Sequence, residues 1–211
     1  SRMLLTQEAT RDEVTAAIQH AADRLTSGDI FFLTYSGHGG QVPDASGDER
    51  DLSDETWCLY DGQLIDDELH QLWTRFSEGV RIVLLSDSCH SGTVARMRAR
   101  AISLPESYMA ALEGRSQDEP EFRMMPIRKA RQTYLANKPF YDKIQEDVPP
   151  VQDQDPIVAR VRLISGCQDN QLSMDGAFNG LFTGTLKRVY ADGAFQGDYN
   201  VFHREIVSLM P

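Results

Sequence analysis

A histidine between glycines and a cysteine among small polar residues each follow a short apolar run. His38 lies in Tyr35-Ser36-Gly37-His38-Gly39-Gly40, after Asp29-Ile30-Phe31-Phe32-Leu33-Thr34. Cys89 lies in Asp87-Ser88-Cys89-His90-Ser91-Gly92, after Arg81-Ile82-Val83-Leu84-Leu85-Ser86. Together they suit nucleophilic catalysis, because a thiolate is the attacking species and a neighbouring imidazole generates and stabilises it. The backbone N–H groups of Gly39 and Cys89 are natural donors to a developing oxyanion. The bland alternatives are a buried inert cysteine and a structural histidine. Both lose ground here, since Cys89 falls beyond the strand end and glycines leave little to pack against His38. His90 competes as the base, but adjacent residues on an extended chain point apart, which favours His38. Asp87, two residues before Cys89, shares its side of the strand. It can orient His38, line a pocket for a cationic side chain, or cap a backbone amide. The pocket is preferred, because a carboxylate beside the nucleophile would otherwise raise its pKa without benefit.

These residues need strands to place them. Both apolar runs are short, β-branched or aromatic, and bounded by glycine, as buried parallel strands are. Chemistry in an open α/β sheet gathers beyond the carboxyl ends of such strands. Met3 to Thr6 is strand-like. Thr10 to Leu25 carries apolar residues at helical spacing, with Thr10 and Glu13 forming a capping box and Gly28 ending the helix. Strand, helix, strand with short connections implies βαβ units. Gln41 to Glu55 reads as an acidic loop, Trp57 to Tyr60 as a short strand and Asp61-Gly62 as a turn. A helix is expected from Ile65 to about Phe76, with Asp66, Asp67 and Glu68 suiting its N-terminal dipole.

From Thr93 to about Gln154 the chain holds about half of its 21 basic residues and six prolines (Pro105, Pro120, Pro126, Pro139, Pro149 and Pro150). It is expected to be a long exposed insertion with a short helix near 107–112. A strand over Ile157 to Ile164, a helix over Gly180 to Tyr190 and a last helix over Phe202 to Met210 follow.

The 211 residues suit one well-buried domain, and 41% hydrophobic with 25% charged residues is an ordinary globular balance. A net charge of −11 argues against nucleic acid and favours basic partners, although it also serves solubility. No apolar run is long enough to span a bilayer, no secretory pattern opens the chain, and no glycine-rich phosphate loop of the expected form occurs. Three scattered cysteines form neither a disulfide framework nor a zinc spacing, so a reducing, cytoplasmic setting is expected. The opening Ser1-Arg2, followed at once by a strand-like run, suggests a segment upstream.

The two chemical segments, in this order, resemble those of the caspase-like cysteine peptidases, closest to metacaspases and prokaryotic orthocaspases. Gly47-Asp48-Glu49, Asp54-Glu55, Ile65-Asp66-Asp67-Glu68-Leu69 and Ile164-Ser165-Gly166-Cys167-Gln168-Asp169-Asn170 add to the likeness. The resemblance implies an α/β fold, a three-layer α/β/α sandwich with a mostly parallel central sheet, whose first strand lies upstream of Ser1. It implies a cysteine endopeptidase with Cys89 and His38 as its dyad, cutting protein or peptide substrates after exposed Arg or Lys. Asp87 and Ser36 match the positions that receive the basic side chain, and an acidic pocket suits arginine independently. It further implies self-cleavage after basic residues in the insertion.

No cofactor is required for this chemistry. The calcium many metacaspases need would fall on Asp66, Asp67 and Asp48, plus an acid shortly after the nucleophile. Here that stretch carries Arg96, Arg98 and Arg100 and no acid. Losing a carboxylate weakens a hard-cation site, so calcium dependence is not expected. The rival expectation is a catalytically silent interaction scaffold of the same fold.

Overall fold

The computed structural model describes residues 1–43, 53–88, 127–149, 154–165 and 181–209. Three strands, β1 (Ile30–Ser36), β5 (Arg81–Asp87) and β6 (Arg160–Ser165), form a sheet in the order β1-β5-β6, parallel throughout. The other three, β2 (Gly39–Pro43), β3 (Ser53–Cys58) and β4 (Gln63–Ile65), form a small antiparallel sheet. Alternation on β5 splits its side chains between two cores. Ile82 and Leu84 meet Ile18, Ala22, Leu69, Leu72 and Trp73 from α1 (Arg11–Arg24) and α2 (Asp66–Thr74). Leu85, with Ile164, meets Phe182, Val189 and Ile206 from α5 (Leu181–Tyr190) and α6 (Tyr199–Leu209). Helices therefore pack on both sides of the sheet at β5, and the three-layer α/β/α expectation holds. β1 is not the strand buried on both faces that its apolar run predicts, since Ile30 and Phe32 stay exposed beside the α5–α6 core.

Several local expectations hold with their physical causes visible. Thr10 Oγ1 accepts the Glu13 N–H at 3.3 Å, which starts α1. The turn at Asp61-Gly62 closes when the Leu59 N–H donates to the Gly62 carbonyl at 2.8 Å. The last helix begins three residues earlier than its apolar pattern, because Asp198 Oδ1 accepts the N–H groups of Asn200 and Val201 at 2.8 and 2.9 Å.

Three further expectations are corrected. Met3 to Thr6 is not a strand: among the described residues no strand pairs with it, and a 3-10 turn follows at Thr6–Glu8. Gln41 to Glu55 is not wholly a loop, for its two ends pair as β2 and β3, with Gln41 opposite Glu55. The stretch from 93 to 154 is not an exposed insertion throughout. Its later part forms α3 (Ile127–Ala136) and α4 (Lys138–Asp147), whose Tyr134 and Tyr141 bury against Val42 and Ile65 of the small sheet. Tyr141 is only 2% exposed, and its hydroxyl accepts the Gln63 N–H at 3.1 Å. Gln145 Nε2 donates to the Pro43 carbonyl at 2.8 Å and to the buried Asp54 carboxylate. Pro139 does not oppose this helix, since it sits in the first turn where its missing N–H has no partner to lose.

Arg11 joins these layers at one point. Its guanidinium donates to Glu68 at 2.6 and 3.1 Å and to the Gln63 carbonyl, and it stands 5.3 Å from the centre of the Phe140 ring. The two side chains are only 13% and 16% exposed, so this pair is far drier than a surface ion pair. Arg11→Met is expected to cost about 2–3 kcal/mol, because it leaves the half-buried Glu68 carboxylate without its charged partner, although the Ile65 N–H still donates to it at 3.0 Å. For a chain of this size the melting midpoint should fall by about 5–10 °C. A shift below 1 °C by calorimetry would show that the pair contributes no net stability.

Candidate active site

The register of the parallel sheet sets the site. Ser36 and Asp87 are paired at the carboxyl ends of β1 and β5, so both chains leave the sheet at the same level. The pairing continues one step further, where the Gly37 N–H donates to the Asp87 carbonyl at 3.3 Å. His38 follows, its side chain exposed beyond the strand ends. Ser88, buried, continues from β5, its hydroxyl 2.9 Å from that of Ser86. Cys89 and His90 lie outside the described residues, as do Asp48, the segment expected to be helical at 107–112, and positions 166–170.

The two candidate substrate residues share a face of the sheet, because partners in a parallel register point the same way. Ser36 is exposed. Asp87 is 3% exposed, and its Oδ2 accepts a hydrogen bond from the Thr183 hydroxyl of α5. Thr183 carried no signal in the sequence, for it stands 96 residues from Asp87 in an unremarkable helical run.

Behind His38 the chain turns at once into the small sheet. The Cys58 N–H donates to the His38 carbonyl at 2.9 Å. Hydrogen-bonded and non-hydrogen-bonded pairs alternate along an antiparallel ladder. The next pair, Gly39 with Trp57, is therefore of the open kind, and the Gly39 N–H points away from β3. Gly40 is fixed by close approach: an added Cβ would meet Gln63 Oε1 and lie 2.8 Å from Thr56 Oγ1 and 2.9 Å from Cys58 Sγ. Thr56 Oγ1 donates to Gln63 Oε1 at 2.7 Å, making a buried polar seat under the glycines. Burial pushes the Cys58 thiol up to about 12, with a Thr56 hydrogen bond opposing only part of the effect. Cys58 thus stays a thiol at neutral pH and is not a competing nucleophile.

Asp66 and Asp67 occupy the first turn of α2, and the Asp66 carboxylate accepts the Asp67 N–H at 3.2 Å. That geometry suits a helix N-terminus. Among the described residues, no three His, Cys, Asp or Glu side chains gather as a metal site, and Asp48, the third expected calcium carboxylate, lies outside them. A polar hollow lined by Gln19, Gln71, Arg75 and Gln154 lies against the helices and contains none of the candidate site residues. Among the described residues, no helix is long and apolar enough to cross a membrane.

Comparison with known proteins gives a likeness in sequence and in overall fold. The profile of the metacaspase, peptidase C14 domain matches residues 1–98. Metacaspase-1 of Schizosaccharomyces pombe is 31% identical over 198 residues, covering 87% of this chain and 46% of that protein. Metacaspase-1 of Pyricularia oryzae is 29% identical over 233 residues, covering 98% and 56%. The chain thus spans about half the length of these two relatives. A crystal structure of a protein from Geobacter sulfurreducens superposes with a TM-score of 0.83 at 51% identity, covering 100% of this chain and 72% of that one.

Proposed function

We propose that this chain is a caspase-like cysteine peptidase of the metacaspase type, an endopeptidase cutting proteins after arginine or lysine. The observation that carries the reading is the register that brings Ser36 opposite Asp87, with His38 two residues beyond one strand end and Cys89 two residues beyond the other in sequence. The Cys89 thiolate attacks the scissile carbonyl carbon and forms the C–S bond. The carbonyl electron pair moves to oxygen, where the Gly39 and Cys89 N–H groups stabilise the oxyanion. His38, protonated, gives its proton to the leaving amine as the C–N bond breaks. Water then attacks the thioester, His38 takes its proton, and the thiolate is released. Asp87 and Ser36 receive the basic side chain.

Self-cleavage is part of the proposal and is narrowed by the fold. Arg128, Lys129, Arg131, Lys138 and Lys143 belong to α3 and α4, whose bonds are closed to a protease until the helices open.

The test is cleavage of fluorogenic peptides ending in Arg, Lys or Asp, in calcium and in chelator, with fragment masses recorded. Cleavage after Arg and Lys only, equal in both solutions, is the expected result. Cleavage after Asp would overturn the specificity, and dependence on calcium would show that residues beyond those described complete a cation site. No cleavage in any lane, together with no labelling of Cys89 by a thiol-reactive probe, would favour the scaffold.

A further inference from the structure

We propose that the Tyr35 hydroxyl, held by stacking on Trp57, is a positioning group for His38 and thereby sets the turnover rate; this rests on the peptidase reading above. His38 is flanked by two glycines, which by themselves leave the backbone free to wander. Something must remove that freedom if the imidazole is to meet the nucleophile repeatedly in one geometry, and an error of about 1 Å can cost roughly 100-fold in rate.

The constraint is visible from beneath. Tyr35 lies on the face of β1 opposite to that of Ser36, against the core shared by α1 and α2. Its ring stacks on Trp57 with centroids 4.4 Å apart and planes 11° apart. Trp57 is itself buried, so the stack is anchored. From there the phenol passes under the loop. A Cβ on Gly37 would lie 2.6 Å from Tyr35 Oη and 2.9 Å from Cζ, so glycine at 37 makes room for the phenol. The hydroxyl ends 2.8 Å from the His38 carbonyl oxygen, to which it donates, with the Cys58 carbonyl 3.0 Å away as a second acceptor. The His38 carbonyl thus takes two donors, the Tyr35 hydroxyl from β1 and the Cys58 N–H from β3.

A core tyrosine that merely found a partner would do so at any nearby carbonyl. Here the carbonyl belongs to the candidate base, and the ring bridges the sheet carrying Ser36 and Asp87 to the sheet carrying Gly39. The hydroxyl therefore fixes His38 relative to both. It does not touch the reacting atoms, and its effect is expected in kcat with little in KM.

Tyr35→Phe keeps the ring and the stack and deletes the hydroxyl. On an Arg peptide, kcat is expected to fall about 10-fold with KM changed less than about twofold. The second readout is the rate of Cys89 alkylation by iodoacetamide at pH 6, followed by peptide mapping. Wild type should react there through a thiolate stabilised by imidazolium, and Tyr35→Phe should react several-fold more slowly at that pH with the difference closing near pH 9. Trp57→Phe, which weakens the anchor but leaves the hydroxyl, should lower kcat in the same direction by a smaller factor. His38→Ala is the control. If His38→Ala is inactive while Tyr35→Phe and Trp57→Phe match wild type in kcat and alkylation profile, the positioning role is overturned and the dyad stands. If His38→Ala remains active, the peptidase dyad and the positioning role both fall.

Discussion

Cys89→Ala and His38→Ala are each expected to lower kcat/KM on Arg and Lys peptides by at least about 1000-fold, and the double variant should be no worse than either alone. The non-additivity is the informative part. A thiol lacking its base and a base lacking its thiol both leave only binding and the oxyanion donors, so the second deletion has nothing further to remove. The position of His38 favours this outcome over the rival base. It stands beyond β1, while the register Ser36–Asp87 sets the end of that strand level with the end of β5, two residues before Cys89. His90 adjoins Cys89 directly, and His90→Ala should change kcat/KM by no more than a few-fold. Cys58 offers no substitute nucleophile, because burial keeps its thiol protonated. The measurement is steady-state kinetics on the four variants beside wild type, with melting curves to exclude unfolding. Should His38→Ala retain a tenth of the activity while His90→Ala loses it, the roles of the two histidines would be exchanged.

The strands that hold this site were readable because their residue types act locally. Ile30 to Leu33 and Ile82 to Leu85 are short apolar runs rich in β-branched or aromatic residues with glycine close beyond, and their shortness and glycine boundaries favour strand over helix. The α1 cap was readable for the same reason, since Thr10 and Glu13 meet within one turn. What could not be read depends on partners distant in the chain. Asp54 is polar and falls in the stretch that reads as loop, yet it is only 2% exposed. Gln145 satisfies it from 91 residues away. The α3–α4 hairpin was hidden by its basic composition, although Tyr134 and Tyr141 are anchors enough once Val42 and Ile65 are beside them. Tyr35 was noticed only as a member of a motif. Its hydroxyl acquires a role when β3 returns to the His38 loop, which periodicity does not foretell.

Asp87→Asn is expected to lower kcat/KM on Arg peptides by about 100-fold or more, roughly 3 kcal/mol, while a peptide with a neutral glutamine before the cut changes by no more than a few-fold. Asparagine keeps the shape and retains a carbonyl oxygen for the Thr183 hydroxyl, so the substitution isolates the charge. Burying a carboxylate at 3% exposure is costly unless donors surround it, and Thr183 is one such donor. A guanidinium arriving there meets a full opposite charge already stripped of water and can bind it through two parallel hydrogen bonds. Lysine, with a single ammonium and no fork, should lose less than arginine when the charge is removed. The comparison also separates the preferred pocket role from the orientation of His38. An Asp87 that oriented His38 would depress every substrate equally, and would do so in kcat. An Asp87 that receives the basic side chain depresses only basic substrates and mainly through KM. Equal losses on the Arg and Gln peptides would therefore move Asp87 out of the pocket and into the support of the histidine, leaving Ser36, its register partner, as the residue from which to rebuild the specificity.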